Sequence, residues 1–237
     1  MGKLYDLLLQ DIRFEEGLNA CMNCGVCTAI CPAAEFYHYD PREIVDTIQS
    51  KDEDKILELL KSETIWYCGQ CMSCKTRCPR GNTPAMVIMA LRTISQQLGY
   101  FVESEKGLQQ FAIKRTIGEN ILKYGYCAAT YVVNPELHPE QGPIWKYMIE
   151  NLDEVMERLD ANMHKKGAGA LRRISDEALA ELKSIFVVTG ALDFYDTIEM
   201  HASKKAAEMG FQFEEKGIDN DFFNYAFKHN SDNHNKE

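Results

Sequence analysis

Eight of the nine cysteines of this 237-residue chain fall into two copies of one pattern, Cys-x-x-Cys-x-x-Cys-x-x-x-Cys-Pro. Cys21, Cys24, Cys27, Cys31 and Pro32 form the first copy, and Cys68, Cys71, Cys74, Cys78 and Pro79 the second. Three thiols at two-residue gaps can wrap three corners of a cube of iron and sulfide, whose irons each keep one outward site for a soft thiolate. Where two such motifs share one chain, the cysteine before proline reaches the other cluster. The spacing therefore predicts two [4Fe-4S] clusters, one on Cys21, Cys24, Cys27 and Cys78 and the other on Cys68, Cys71, Cys74 and Cys31. Crossed ligation of this kind holds clusters close together, and the expected role is electron transfer.

Two blander readings fit less well. Structural zinc takes two Cys-x-x-Cys knuckles separated by a loop of roughly a dozen residues or more, not three cysteines at successive gaps. Disulfides need an oxidising compartment, whereas Met1–Gln10 has one Lys and an interrupted apolar run, unlike a secretory leader. Eight thiols committed to metal point to a reducing cytoplasm.

The residues between the cysteines are small or uncharged: Met22, Asn23, Gly25 and Val26 in the first loop, Gly69, Gln70, Met72 and Ser73 in the second. Gly25 and Gly69 are expected to supply the unusual backbone angles of a loop that wraps a cube. The second motif carries Lys75, Arg77 and Arg80, and the first has no such charges. Positive charge favours the reduced, more negative state of a cluster, so the second cluster is expected to be the easier one to reduce.

The stretch between Cys31 and Cys68, residues 32–67, is 36 residues long and reads as mainly helix. Asp40-Pro41 places a capping carboxylate before proline at the first helical position and opens a helix through about Gln49. Residues 52–61 (DEDKILELLK) put Ile56, Leu57, Leu59 and Leu60 on an apolar side behind an acidic first turn. Thr83-Pro84 is expected to cap a helix over 85–98 that Gly99 ends. The expected fold class is mainly α: an alpha-helical ferredoxin domain over residues 1–100, rather than the small β-containing kind, with a helical C-terminal extension over 101–228 and a disordered polar tail over 229–237.

In the extension, 104–123 has helical periodicity interrupted by Gly118, and a polar, proline-containing connection follows over 134–143. Residues 144–159 read as one amphipathic helix with Trp145, Met148, Ile149, Leu152, Val155, Met156 and Leu159 on its apolar side. Residues 176–209 suggest two helices broken or bent near Gly190. Gly167-Ala168-Gly169-Ala170 is no dinucleotide fingerprint: Arg172 stands where the third glycine belongs and no strand precedes it, so a loop is expected. The six histidines are scattered without metal-ligand spacing, and His38 reads as a packed or surface side chain. Cys127, the odd thiol, reads as a buried structural cysteine, with a role in a partner's sulfur chemistry as the alternative.

Composition narrows the partners. Hydrophobic residues make up 45% and charged residues 26%, ordinary for a globular protein. No apolar run approaches the roughly 18 residues of a membrane span. A formal charge of −10 argues against nucleic acid, which wants a basic face.

The paired motifs with their Cys-Pro endings, and the helix opened by Asp40-Pro41-Arg42-Glu43, resemble the iron–sulfur electron-transfer subunit of heterodisulfide reductases. The resemblance rests on residues 15–100 and is diffuse beyond them. It implies two partners: a flavin-bearing subunit, and a catalytic subunit whose Cys-Cys-containing motifs bind the cluster that does the disulfide chemistry. This chain has no Cys-Cys pair, so it resembles the wire and not the reaction centre, and no catalytic residue is expected on it. Its length also resembles the corresponding subunit of bacterial heterodisulfide-reductase-like complexes, some linked to sulfur oxidation.

Other readings stay open. The iron–sulfur subunit of a succinate dehydrogenase or fumarate reductase adds cysteines for a two-iron cluster upstream, and here the first cysteine is Cys21. Glycolate, lactate or glycerol-phosphate dehydrogenase subunits often join the paired motifs to Cys-Cys domains. A free ferredoxin-like carrier needs no long extension, which reads better as a docking surface.

Overall fold

A computed structural model describes residues 3–127, 142–218 and 220–228. The described residues are mainly helical, with no strand among them. They divide into two compact units. The first holds residues up to Gln110 together with Met200–Lys205, and the second holds Phe111–Glu199 and Ala206–Lys228.

The first unit is built on one long helix, α8 (Pro84–Leu98). The earlier helices are short: α1 (Leu4–Leu8), α2 (Ile12–Gly17), α3 (Val26–Ala29), α4 (Pro32–Phe36), α5 (Pro41–Gln49), α6 (Glu53–Lys61) and α7 (Ser73–Arg77). Val87, Ile88, Ala90, Leu91 and Ile94 of α8 are buried, so the helix is apolar on more than one side and packs against α1, α2, α5, α6 and α7. Ile44, Val45 and Ile48 of α5 and Ile56 and Leu60 of α6 complete the core at helical spacing. Each of these aliphatic side chains contributes about 1.5–3 kcal/mol by leaving water. Ser95, the one buried hydroxyl of α8, donates to the Leu60 carbonyl at 2.6 Å, so its polarity is satisfied inside the core.

Caps fix where the helices begin. Asp40 accepts from the backbone N–H groups of Arg42 and Glu43, and Asp52 accepts from those of Asp54 and Lys55, each cap adding about 1 kcal/mol. Thr83 precedes α8 as expected, but its side chain makes no capping bond. Its N–H instead donates to Gly17 O at 2.7 Å, tying α2 to the start of α8. Gly99, in the left-handed region at φ 81°, ends the helix.

In the second unit, α9 (Glu105–Ile113), which begins in the first, runs through a π-helical turn at Lys114–Gly118 into α10 (Glu119–Tyr124). The helix thus continues through Gly118 rather than stopping there. A Cβ on Gly118 would lie 2.6 Å from Tyr195 Oη, so any larger residue there requires the Tyr195 side chain to shift. The expected single helix over 144–159 is two, α11 (Gly142–Glu150) and α12 (Leu152–Arg158). Asn151 divides them: its backbone and side-chain N–H groups both donate to Tyr147 O, the local competition that makes asparagine a poor interior residue. Along the expected apolar side Met156 is buried, whereas Leu159 is 67% exposed. α13 (Asp176–Val188), α14 (Ala191–Glu208) and α15 (Asp221–Lys228) follow, with Gly190 between the first two at φ 73°.

The core of this unit is aromatic. Phe111, Phe213 and Phe222 meet with ring centroids 5.5–5.9 Å apart, and the Arg115 guanidinium lies 4.5 Å from the Phe111 centroid and 5.1 Å from that of Phe213. The segment around Gly167–Ala170 is a turn region, held by Asn162 Nδ2 donating to the carbonyls of Lys166 and Ala168. Most of the connection over 134–143 and the whole tail over 229–237 lie outside the described residues. Among the described residues, no helix is long and apolar enough to cross a membrane.

Candidate metal centres

Both cysteine motifs fold into the same local shape. In the first, Asn23 and Gly25 take left-handed backbone angles (φ 57° and 78°) before α3; in the second, Gln70 and Met72 do (φ 54° and 60°) before α7. The equivalent of Gly25 is therefore Met72, and Gly69 does not take a positive φ, contrary to the sequence expectation. In each loop one N–H turns inward at the sulfur of the first cysteine: Asn23 N–H to Cys21 Sγ and Gln70 N–H to Cys68 Sγ, both at 3.4 Å.

Short helices then separate the last two cysteines of each motif. Cys27 lies on α3 and Cys31 follows its end; Cys74 lies on α7 and Cys78 follows its end. Four residues of helix advance about 6 Å, enough to deliver the two thiols to different places. Two small clefts result. Cys21, Cys24, Cys27 and Cys78 line the first, and Cys68, Cys71, Cys74 and Cys31 line the second. All nine cysteines are free thiols. Among the described residues no three His, Cys, Asp or Glu side chains converge as a single metal ion requires.

α5 holds the first loop. Cys21 N–H donates to Gln49 Oε1 at 2.7 Å, and Gln49 Nε2 donates back to Cys21 O at 3.3 Å. Thr28 Oγ1 donates to Asp40 Oδ1, and Arg42 bridges Asp40 (2.9 Å) and Asn23 Oδ1 (3.3 Å). Burial pushes the Asp40 carboxyl up, but hydrogen bonds from Arg42, Thr28 and the backbone outweigh it, and its pKa lies below the ordinary carboxylate value. Stability from this carboxylate is thus complete above the ordinary range and is lost as pH falls through the depressed value. Asp40→Asn is expected to cost roughly 1 kcal/mol near neutral pH, with the gap to the parent closing as urea unfolding is repeated at acid pH. A gap independent of pH would contradict this linkage.

The positive charges are distributed otherwise than the sequence order suggests. Arg80 lines the first cleft, with Arg42, because Cys78 brings its neighbours there. Lys75 and Arg77 are exposed and do not line the second cleft. Behind the second motif Arg92, from α8, donates to Cys68 O and Ile65 O, each at 2.7 Å. Arginine side chains therefore stand at both sites, and the charge of Arg80 is not at the second one. Burial pushes the Cys27 and Cys74 thiols up, while the Ser73 hydroxyl, 3.3 Å from Cys71 Sγ, helps hold that thiol down. Metal loading must therefore displace protons, above all from the deeper thiols.

Two buried polar side chains face the clefts and carried no sequence signal. Asn82 lines the first and Tyr39 the second. Cys127 lines neither cleft and is exposed, which overturns its reading as a buried structural cysteine. His38 is also exposed.

A model of the 4Fe-4S dicluster domain matches residues 17–82, a span that contains all eight motif cysteines. Three relatives are subunits of CoB-CoM heterodisulfide reductases, all of the same type within that complex. The chain is 38% identical over 112 residues to one from Methanosarcina acetivorans, a ferredoxin:CoB-CoM heterodisulfide reductase, covering 44% of each chain. It is 33% identical over 105 residues to the iron–sulfur subunit from Methanopyrus kandleri, covering 43% of this chain and 53% of that protein. Over 159 residues it is 30% identical to the iron–sulfur subunit from Methanocaldococcus jannaschii, covering 65% of this chain and 76% of the relative. The match thus spans about half the length of the first two relatives and three quarters of the third.

Proposed function

Because the chain belongs to the family of heterodisulfide reductase iron–sulfur subunits, we propose that it relays electrons through two [4Fe-4S] clusters between a flavin-bearing subunit and a catalytic subunit with Cys-Cys-containing motifs. The first cluster is assigned to Cys21, Cys24, Cys27 and Cys78, and the second to Cys68, Cys71, Cys74 and Cys31. The carrying observation is the pair of clefts, each ringed by three thiols of one motif and the fourth of the other. The donor chemistry fits: soft thiols spread round a hollow suit a group that takes one thiolate on each iron. Asn82 Nδ2, a buried donor without a hydrogen-bond partner among the described residues, adds to the fit.

When bound, such a cluster supplies a one-electron site. The chain's own residues hold, bury and bias it. Cys31 and Cys78 cross between the motifs and hold the two sites together, so an electron need not pass through solvent. Asn23 and Gln70 offer backbone N–H groups to sulfur, and Arg42 and Arg80 place positive charge at the first site. No acid, base or nucleophile is required. The second unit serves as the docking region in this proposal, and the complex works in the cytoplasm, either as a heterodisulfide reductase or in the direction of sulfur-compound oxidation.

Anaerobic affinity purification from the native host, with partners identified by mass spectrometry, tests the assignment. Recovery of a flavoprotein with a Cys-Cys-motif protein is the expected result, and co-purifying sulfur enzymes would favour oxidation. Recovery alone, or with an unrelated dehydrogenase, would refute the proposed partners.

A further inference from the structure

The two clefts share their thiol pattern but differ in one respect: each has its own buried, non-cysteine donor, and the two donors are chemically unlike. Asn82 lines the first cleft and is 2% exposed. Its Oδ1 accepts from Asn19 N–H at 2.8 Å, which settles which end of the amide is oxygen. Its Nδ2, buried and carrying two protons, has no partner among the described residues. A buried amide donor left alone costs about 1–3 kcal/mol, so a sulfur acceptor in the cleft accounts for its orientation. Thr83 N–H, bonded to Gly17 O, and Asn19 together hold Asn82 in place from α2 and the chain that follows it.

Tyr39 lines the second cleft and is 5% exposed. Its ring packs edge-on against Tyr67, with centroids 6.3 Å apart, and it lines the cleft beside Cys68. Behind that cysteine Arg92 donates to its carbonyl.

Resting on the cluster assignment above, we infer that Asn82 and Tyr39 are positioning residues that set the two cluster potentials separately, Asn82 Nδ2–H donating to a sulfur of the first cluster and the Tyr39 hydroxyl to Cys68 Sγ of the second. A hydrogen bond to sulfur stabilises the more negative reduced state and raises the potential. Removing either donor makes its own cluster harder to reduce and leaves the other unchanged. Neither residue holds iron.

The test is a redox titration of the full-length protein followed by electron paramagnetic resonance, with each signal assigned by its loss in Cys24→Ser or Cys71→Ser. Asn82→Ala, which adds no charge, is expected to weaken reduction of the first cluster roughly tenfold, about 59 mV for a one-electron couple. Tyr39→Phe, which keeps the ring, is expected to lower only the second. Unchanged potentials in loaded variants would overturn the inference. Should Asn82→Ala fail to load, the parent protein decides the matter. With asparagine isotopically labelled at the side-chain nitrogen alone, pulsed resonance should detect that nitrogen coupled to the reduced first cluster, and its absence would overturn the Asn82 assignment. Failure of the parent itself to show any [4Fe-4S] signal would instead overturn the cluster reading.

Discussion

Cys31→Ser is expected to remove or convert the cluster that Cys71→Ser removes, and to spare the one that Cys24→Ser removes. The expectation runs against chain order, since Cys31 lies four residues from Cys27 and 37 from Cys68. It follows from the short helix between Cys27 and Cys31, which sends the two thiols to different clefts. Cys78→Ser should behave conversely and match Cys24→Ser. Either substitution replaces a soft thiolate with a weaker hydroxyl ligand, so up to about half of the iron should be lost, or one cluster converted to a three-iron form. Iron analysis with resonance spectra of each variant reads this out. If Cys31→Ser and Cys24→Ser erased the same signal, crossed ligation would be wrong.

Arg115→Met is expected to destabilise the second unit by about 3–5 kcal/mol, the cost of leaving a largely buried carboxylate short of its partner. Arg115 is 3% exposed. It grips Glu199 through two bonds, at 2.9 and 2.8 Å, and also donates to the carbonyls of Glu214 (2.6 Å) and Gly217 (3.0 Å). Lys114 also lies 2.9 Å from Glu199, which places the expected effect nearer the lower figure. Methionine fills the space between the phenylalanine rings but satisfies neither carbonyl, so hydrogen exchange should accelerate across α14 and α15. Cluster content should stay at the parent value. Unchanged exchange in those helices would mean that the ion pair contributes nothing to holding the unit together.

Much of the first unit was legible because its signals are local. Asp40 and Asp52 announce their helices by the chemistry of a cap, and Gly99 ends α8 by its tolerance of positive φ. What failed was whatever depends on where the chain travels next. Arg80 adjoins the second motif in sequence, but it follows Cys78 into the first cleft and carries its charge there. Gly69 drew attention as a glycine, while the strained positions are set by register within the loop and fall on Gln70 and Met72. The division at Asn151 was hidden under an apolar stripe that continues across it. Cys127 was read as buried because free cysteines usually are, and a lone thiol has no period that would have shown it to be exposed.

Asn82 and Tyr39 show the same limit at the sites themselves. Asn82 lies four residues past Cys78 and Tyr39 eight past Cys31; neither spacing forms a motif. Their position at the clefts comes from α8 and α5 docking against the cysteine loops, a tertiary event. The arginines and these two residues give two sites of the same ligand chemistry different surroundings.

The decisive measurement is iron and acid-labile sulfide analysis of the anaerobically purified full chain, combined with a reductive resonance titration. Crossed ligation of two cubane clusters predicts about eight irons and eight sulfides per chain, and two [4Fe-4S] signals close enough to interact magnetically. Four irons, or zinc in place of iron, would rule it out.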